Sequence, residues 1–344
     1  MKRTFLLVIA LMLTIALGAQ KYKSEEVEFA NGDATLSGTL LTPKDVENPP
    51  VVLMVTGSGQ QNRDEEILGH KPFKVIAEYL AERGIASLRY DDRGFGKSTG
   101  SLDGVTTETF KQDALSGVEY LKTLRAESQA SKPRFSKVGV LGHSEGGTIA
   151  FLIAADDKAD FIVSLAGGGV QGKETILTQN YNALKAQGIP SDQVGEVVDA
   201  VEDVFNKIIA SPLDEPMSQT LQKIAAESEN PEIAQTLSMQ LGNDANGKWF
   251  KYFLALNPAE AISKITCPVM ALNGTKDFQV DCEENLGNIK KLLPESPKNL
   301  VKSYEGLNHL FQKCATGYPT EYAIIKEDIA EEVLSDISNW IKSL

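Results

Sequence analysis

The sequence predicts an α/β protein with a mainly parallel central sheet, helices on both faces and a helical cap inserted after the sixth core strand. Three observations predict it. Short apolar, strand-like runs alternate with amphipathic helical stretches through the first half of the chain. Several of those runs end in glycine-rich loops. The alternation stops over residues 170–258, where only helical patterns follow one another, and then resumes. Repeated β–α alternation implies parallel strands covered on both sides, because each crossover lays a helix on the sheet.

The elements follow in order. Glu25 to Pro43, "EEVEFANGDATLSGTLLTP", alternates around Asn31-Gly32 and reads as an antiparallel hairpin. "PPVVLMVTGSG" is a buried strand running into a glycine-rich loop, and "PFKVIAEYLAERG" an amphipathic helix closed by Gly84. "IASLRYDDRGFGKSTG" is a strand and a glycine-punctuated loop; "ETFKQDALSGVEYLKTLRA" is the next amphipathic helix. "SKVGVLGHSEGGTIAFLIAA" passes from strand through a glycine turn into helix, and "DFIVSLAGGG" is another short buried strand. The helical block holds "ILTQNYNALKAQG", "VGEVVDAVEDVFNKIIA", "MSQTLQKIAAESE" and "PEIAQTLSMQLG", and ends at "KWFKYFLALNP". Then come the strand "TCPVMALNGTKD", a helix around "ENLGNIKKLLP", the strand "KNLVKSYEG", the loop "LNHLFQK" and a terminal helix ending "VLSDISNWIKSL". With no internal repeat or long linker, the chain divides into a leader (1–19), a first core part (20–169), the helical cap (170–258) and a second core part (259–344). The cap is a subdomain of one folding unit.

The leader is separate in kind. "MKRTFLLVIALMLTIALGAQ" has two basic residues, an apolar run from Phe5 to Leu17 and small residues at Gly18 and Ala19. That is the form of a secretory signal peptide, and the run is shorter than the roughly 20 apolar residues a membrane span needs. The mature chain is expected to start near Gln20, to be exported to the periplasm or the extracellular space, and to keep no membrane span. Across the 344 residues, 47 acidic side chains against 34 lysines and arginines give a net charge of −13. That balance excludes a nucleic-acid or anionic-membrane partner, which would need a basic patch. No zinc-like cysteine spacing or phosphate-loop lysine is present, and no metal or cofactor is implied.

The chemistry centres on "GHSEGG". A Gly-x-Ser-x-Gly turn between a strand and a helix forces strained angles at the serine, and its glycines remove side chains that would clash. Ser144 then projects from the carboxyl edge of the sheet at a helix N-terminus, where free N–H groups favour developing negative charge. A serine hydroxyl needs a base, and the chain has three histidines. His143 lies inside the turn and reads as its support. His70, in "EILGHKPF", reads as a surface or rim residue. His309, in "EGLNHLFQK", sits in the loop after the last strand and is the expected base. Asp277, in "VMALNGTKDFQV", lies in the adjacent loop and completes the order Ser, Asp, His; Glu283 and Glu284 are the fallback. Acyl transfer also needs two backbone donors for an oxyanion. One is the N–H of Glu145. The other comes from "VTGSGQQNRDE", where Gly57 and Gly59 turn the backbone toward substrate; Ser58 is chosen, with Gly59 or Gln60 as alternatives.

These residues resemble the α/β-hydrolase superfamily of serine hydrolases over nearly the whole mature chain: "GHSEGG" as nucleophile elbow, "NGTKDFQV" as acid loop, "GLNHLFQ" as histidine loop and "YDDRGFGKSTG" as the loop after the fourth core strand. More narrowly, "GSGQQNRDE", "LNHLFQ" and "ATGYPTEY" are similar to bacterial EstD-type carboxylesterases. The resemblance implies a helical-capped esterase acting on small, short-acyl esters through an acyl-enzyme. A serine peptidase of the same fold and a catalytically silent binding protein are the alternatives. Trp249 and Phe253, with Phe250 and Tyr252, either roof an apolar acyl pocket or form the cap's own core. Arg63 and Asp64 either pair with each other and shape the site or form loop surface, the structural role being favoured. Cys282 and Cys314 each lie five residues past a site residue, Asp277 and His309, and are expected to join those two loops by a disulfide. Nothing in the sequence fixes the oligomeric state.

Overall fold

Strands β1 (Tyr22–Asn31) and β2 (Ala34–Pro43) form the expected hairpin, in register from Tyr22 opposite Pro43 to Asn31 opposite Ala34. In this computed structural model, residues 20–127, 134–227, 231–241 and 246–344 are described; the expected leader, residues 1–19, lies outside them. Among the described residues no helix is long and apolar enough to cross a membrane.

The remaining strands are β3 (Val51–Val55), β4 (Ala86–Tyr90), β5 (Val138–His143), β6 (Ile162–Leu165), β7 (Val269–Gly274) and β8 (Leu300–Tyr304). Together with the hairpin they make an eight-stranded sheet in the order β1-β2-β4-β3-β5-β6-β7-β8. β2 meets β4 antiparallel, and every pairing from β4 onward to β8 is parallel. β3, β4, β5, β6 and β7 are buried along their whole length, which is why they read as continuous apolar runs rather than alternating ones.

Helices cover both faces. α1 (Pro72–Glu82) and α11 (Glu331–Ser343) bury Phe73, Ile76, Val333 and Ile337 against one face. α2 (Thr107–Glu127), α3 (Glu145–Ala155) and α10 (Cys282–Leu292) bury Val118, Ile149, Phe151 and Ile289 against the other. Each such large apolar side chain contributes roughly 1.5–3 kcal/mol on full burial.

Between β6 and β7 run α4 (Gly172–Ala186), α5 (Ser191–Ala210), α6 (Met217–Glu227), α7 (Pro231–Leu241) and α8 (Gly247–Ala255), followed by the short α9 (Ala259–Ser263). They share an apolar core of their own around Val204, Phe205, Leu221, Phe250 and Leu254. Lys251 of α8 is buried there, and its ammonium donates to the carbonyls of Pro212 (3.1 Å) and Glu215 (2.8 Å) and to Thr220 Oγ1 (2.7 Å). A buried cation is tolerated only with its donors satisfied in this way.

The topology locates the site. After β3 the chain adds β4 on one side, then α2 carries it back to place β5 on the other side of β3. Growth of the sheet reverses at β3/β5, so the loops leaving those two strands diverge and open a crevice at their carboxyl ends.

Candidate active site

Ser144 stands at that crevice, between β5 and α3, with φ 56° and ψ −120°. A non-glycine residue held there costs on the order of 1–3 kcal/mol and persists only where its surroundings over-determine it. Here they do. The Ser144 N–H donates to Leu165 O on β6 at 2.9 Å. A Cβ at position 142 would lie 1.9 Å from Gly146 O, and one at 146 would lie 2.1 Å from Val55 O. Only glycine fits at either position, so the turn can close tightly enough to lift the serine.

His309 follows β8 and Asp277 follows β7, on parallel neighbouring strands. His309 Nδ1 donates to Asp277 Oδ2 at 2.7 Å, and both residues are buried. The other carboxylate oxygen, Oδ1, accepts from the N–H groups of Gln279 (2.8 Å) and Val280 (2.9 Å). Asp277 therefore has its orientation fixed before it meets the histidine. A proton held on Nδ1 leaves Nε2 as the basic nitrogen of a neutral ring. The histidine loop is built around Asn308, whose Oδ1 accepts from the N–H groups of Leu310 (3.0 Å) and Gln312 (2.9 Å). It is tied to the acid loop by Lys276 N–H donating to Leu307 O at 2.9 Å.

Ser144 and His309 line one cavity of about 300 Å³, together with Gly57, Ser58, Glu145, Trp249 and Phe253. Gly59 does not join them. It turns at φ +88° to the far side of its loop, where it faces Asp92 and Arg93, which corrects its expected place beside substrate. The Gly57 N–H is also committed, donating to Glu65 Oε1 at 3.0 Å. Among the described residues no such acceptor meets the N–H of Ser58 or of Glu145.

His143 supports the site, as its place in the turn suggested. Its Nε2 donates to the backbone carbonyl of His309 at 2.9 Å, and its Nδ1 meets Glu65 Oε1 at 2.9 Å. Burial opposes a charge on this ring, but the Glu65 carboxylate outweighs it and raises the pKa. Both ring nitrogens face acceptors, an arrangement that suits the doubly protonated ring.

Two further buried acids brace the same loops. Glu145 Oε1 accepts from Thr107 Oγ1 (2.6 Å) and from the indole Nε1 of Trp249 (3.0 Å), and the Ser58 hydroxyl also bonds this carboxyl. Burial raises its pKa against those bonds. Asp92 accepts from Thr56 Oγ1 and from Gln61 N–H, each at 2.8 Å, yet burial pushes it up to about 8, with the charges of Glu65 and Glu145 adding to the shift. Glu65 and Asp92 lie in segments that carry the resemblance, "GSGQQNRDE" and "YDDRGFGKSTG", but nothing in the sequence marks either as a buried support. Each is one acid among many until burial distinguishes it.

The aromatic end of the helical block splits between the two roles left open. Trp249 and Phe253 stack at 5.3 Å and face the cavity that Ser144 and His309 line. Phe250 turns inward and packs edge-on against Phe205 at 5.8 Å.

Three expectations are corrected. Arg63 and Asp64 do not pair with each other: Arg63 bonds Asp91 (2.8 Å) and Glu26 (2.9 Å), while Asp64 pairs with Arg89. Arg63 reaches from the loop to the end of β4 and to β1, and Asp64 meets Arg89 on β4, so each finds a partner that the strands bring closer. His70 is buried rather than on a rim, donating from Nε2 to Tyr322 O (2.8 Å) with Nδ1 at 3.1 Å from Asp328. Cys282 and Cys314 form no disulfide; with Cys267, all are free thiols. Cys282 sits on the first turn of α10 and packs into the core beneath the sheet, whereas Cys314 Sγ donates to Gly306 O at 3.4 Å. Equal spacing from the two site residues did not carry equal side-chain direction.

The chain is 29% identical over 308 residues to esterase EstD of Thermotoga maritima, covering 89% of this chain and 65% of the relative. It is 26% identical over 218 residues to an acyl transferase of Vibrio campbellii, covering 62% of this chain and 65% of that protein. The chain thus spans 65% of the length of either curated relative. Among solved structures, an esterase of Pyrococcus furiosus superposes with a TM-score of 0.55 at 16% identity, over 94% of this chain and 91% of that one. Est1E of Butyrivibrio proteoclasticus, solved with ferulic acid, superposes with a TM-score of 0.53 at 17% identity, over 92% and 96%. These likenesses share the fold. Residues 71–313 match the family described as serine aminopeptidase, S33, and the chain belongs to this family of α/β hydrolases.

Proposed function

We propose that the protein is a serine carboxylesterase hydrolysing small esters through an acyl-enzyme, with Ser144 as nucleophile, His309 as base and Asp277 as the group that orients it. The observation that carries this reading is the buried 2.7 Å Asp277–His309 pair opening on the same cavity as the strained Ser144. In this mechanism His309 Nε2 takes the Ser144 proton as the hydroxyl oxygen attacks the ester carbonyl, and Asp277 stabilises the resulting imidazolium. The N–H groups of Ser58 and Glu145 receive the oxyanion, and the dipole of α3 adds to them. The imidazolium returns its proton to the departing alcohol. Water, activated by the same base, then releases the acid. The names of the relatives, an esterase and an acyl transferase, agree with chemistry that passes through an acylated serine.

The helical block acts as a cap in this reading, with Trp249 and Phe253 roofing a short-acyl site. A peptidase acting at a free amino terminus would need a carboxylate available to the ammonium. The acids lining the catalytic cavity, Glu65 and Glu145, are both buried and already hydrogen-bonded to protein donors. The leader motivates export as part of the proposal; mass spectrometry of the protein from its native host, finding an intact Met1, would rule export by leader cleavage out. The central test is Ser144→Ala. It should abolish hydrolysis of p-nitrophenyl acetate and labelling by a fluorophosphonate probe while leaving the circular dichroism spectrum unchanged. Retained turnover would overturn the assignment.

A further inference from the structure

The helical block contains a second cavity, of about 570 Å³, partly open to solvent and lined by α4, α5, α7 and α8 and by Phe278. Its walls are mainly apolar, with Val201, Phe205, Ile233, Leu237, Phe250 and Phe278 among them. It lies directly beside the cavity at Ser144. Ile176 and Gln179 of α4 line both this cavity and the catalytic one. One face of α4 runs through the two: Gly172, Thr175, Ile176 and Gln179 border the first, and Ile176, Gln179, Asn180 and Ala183 the second. The three- and four-residue spacing keeps these side chains on one side of the helix, over a length of about 16 Å.

The wall between the two is braced by a defined set of bonds. Gln179 Nε2 donates to Gln279 O at 2.6 Å, and Gln279 Nε2 donates to Tyr322 OH at 3.0 Å. Those bonds fix the Gln179 amide against the acid loop, two residues beyond Asp277. Phe278, the residue after Asp277, is held edge-on to Tyr318 at 4.9 Å and lines the second cavity. The catalytic cavity of about 300 Å³ is at the lower end of the size range for small-ligand sites, so a long substrate must extend elsewhere. The apolar cavity that shares its wall is the continuation the structure offers.

We propose that the second cavity receives the distal end of an unbranched alkyl chain whose ester carbonyl lies at Ser144, so that the substrate class is esters of medium to long alkyl chains rather than short-acyl esters alone. This rests on the esterase reading above. The lining suits an alkyl chain because hydrocarbon needs apolar contact and no partner for hydrogen bonds. The same chemistry serves a fatty acyl group or a fatty alcohol, and the test separates them.

The test compares p-nitrophenyl alkanoates from acetate to myristate with alkyl acetates from ethyl to decyl, below their micelle concentrations, on the natural chain and on Ala183→Trp. Ala183 lines the second cavity and not the catalytic one, so a tryptophan there fills the outer chamber. In the natural chain kcat/KM should hold or rise beyond butyrate in one of the two series, by up to about fourfold per methylene. Ala183→Trp should lower the decanoate-to-acetate ratio, or the decyl-to-ethyl ratio, by at least about tenfold, the responding series identifying which side of the ester enters. A steep fall past butyrate in both series, or ratios unchanged by Ala183→Trp, would overturn the proposal. A readout independent of turnover uses Ser144→Ala: calorimetry should detect decanoate or 1-decanol binding that Ser144→Ala/Ala183→Trp loses. Equal binding by both overturns the cavity assignment, whereas failure to hydrolyse any ester overturns only the esterase reading.

Discussion

Glu145 offers the sharpest test of how the elbow is tied to its surroundings. Its carboxyl is buried and takes bonds from Thr107 at the start of α2, from Trp249 on α8 and from Ser58 on the loop after β3. Replacing it with alanine leaves the fully buried Thr107 hydroxyl without its acceptor and frees the half-buried indole of Trp249. An orphaned buried donor costs about 1–3 kcal/mol, and the indole, facing a cavity that water enters, lies at the low end of that range. Relief from desolvating the carboxyl offsets part of the loss. The expected net destabilisation of Glu145→Ala is roughly 1–3 kcal/mol. Glu145→Gln separates hydrogen bonding from charge. The bonds from Thr107 and Trp249 both end on Oε1, so a glutamine carbonyl placed there keeps both. Its amide then faces the Ser58 hydroxyl, which can rotate to accept. Glu145→Gln should therefore cost less than about 1 kcal/mol. Urea denaturation of both variants, with kcat/KM on a short ester measured in parallel, provides the check. Glu145→Ala should also lose up to about a hundredfold in kcat/KM, because it releases Ser58 and Trp249 together. If Glu145→Gln is as damaging as Glu145→Ala, charge dominates and the hydrogen-bond account is refuted.

Four other outcomes follow from the same geometry. Asp92 has a folded pKa near 8, above its unfolded value, so its contribution to stability is fully present below about pH 4 and is lost as the pH rises toward 8. Asp92→Asn should flatten that decline, read as a smaller difference between urea unfolding free energies at pH 5 and pH 8, measured at roughly those values. Asp277→Asn turns an amide N–H toward His309 Nδ1 and forces the ring proton to Nε2; kcat should fall by about 10⁴ with the fold intact by circular dichroism. Gly142→Ala places a methyl 1.9 Å from Gly146 O and should abolish soluble expression or lower Tm by more than about 10 °C. Cys267, Cys282 and Cys314 should all react with a thiol reagent in denaturant without prior reduction; a single reactive thiol would restore the disulfide.

The fold and the three central residues were legible because both rest on order along the chain. Parallel strands bury both faces and so appear as unbroken apolar runs; VVLMV, VGVLGH and VMALNG each stand in the sheet where their pattern put them. Ser144, Asp277 and His309 sit on the loops that leave β5, β7 and β8, and the arrangement of those strands brings the loops to one edge. Side-chain direction was not legible. The sequence offered no means to tell that Trp249 faces the cavity while Phe250, one residue on, faces the core, nor that Cys282 turns inward. His70 shows the same limit: its partners Tyr322 and Asp328 lie more than 250 positions away.

The buried acids explain why a chain with so marked an excess of carboxylates places some of them beneath its most irregular loop. The segment after β3 leaves the sheet where sheet growth reverses, so no neighbouring strand accepts its N–H groups. Carboxylates take that place. Glu65 accepts from Gly57, Asp92 from Gln61, and Asp91 from Arg63 (2.9 Å) and Lys97 (3.0 Å). The bonds to Gly57, Gln61 and Arg63 each fix one point of the loop, and among the described residues the Ser58 N–H between them meets no protein acceptor. A glycine-rich segment without them would exchange among many backbone states and could not hold a donor toward an oxyanion. Burial disfavours the charged forms of Asp92 and Glu145, and the neighbouring charges of Glu65 and Glu145 add to the rise at Asp92. The site therefore accepts electrostatic strain among its supports in return for one rigid loop, and that strain should surface first when the pH rises.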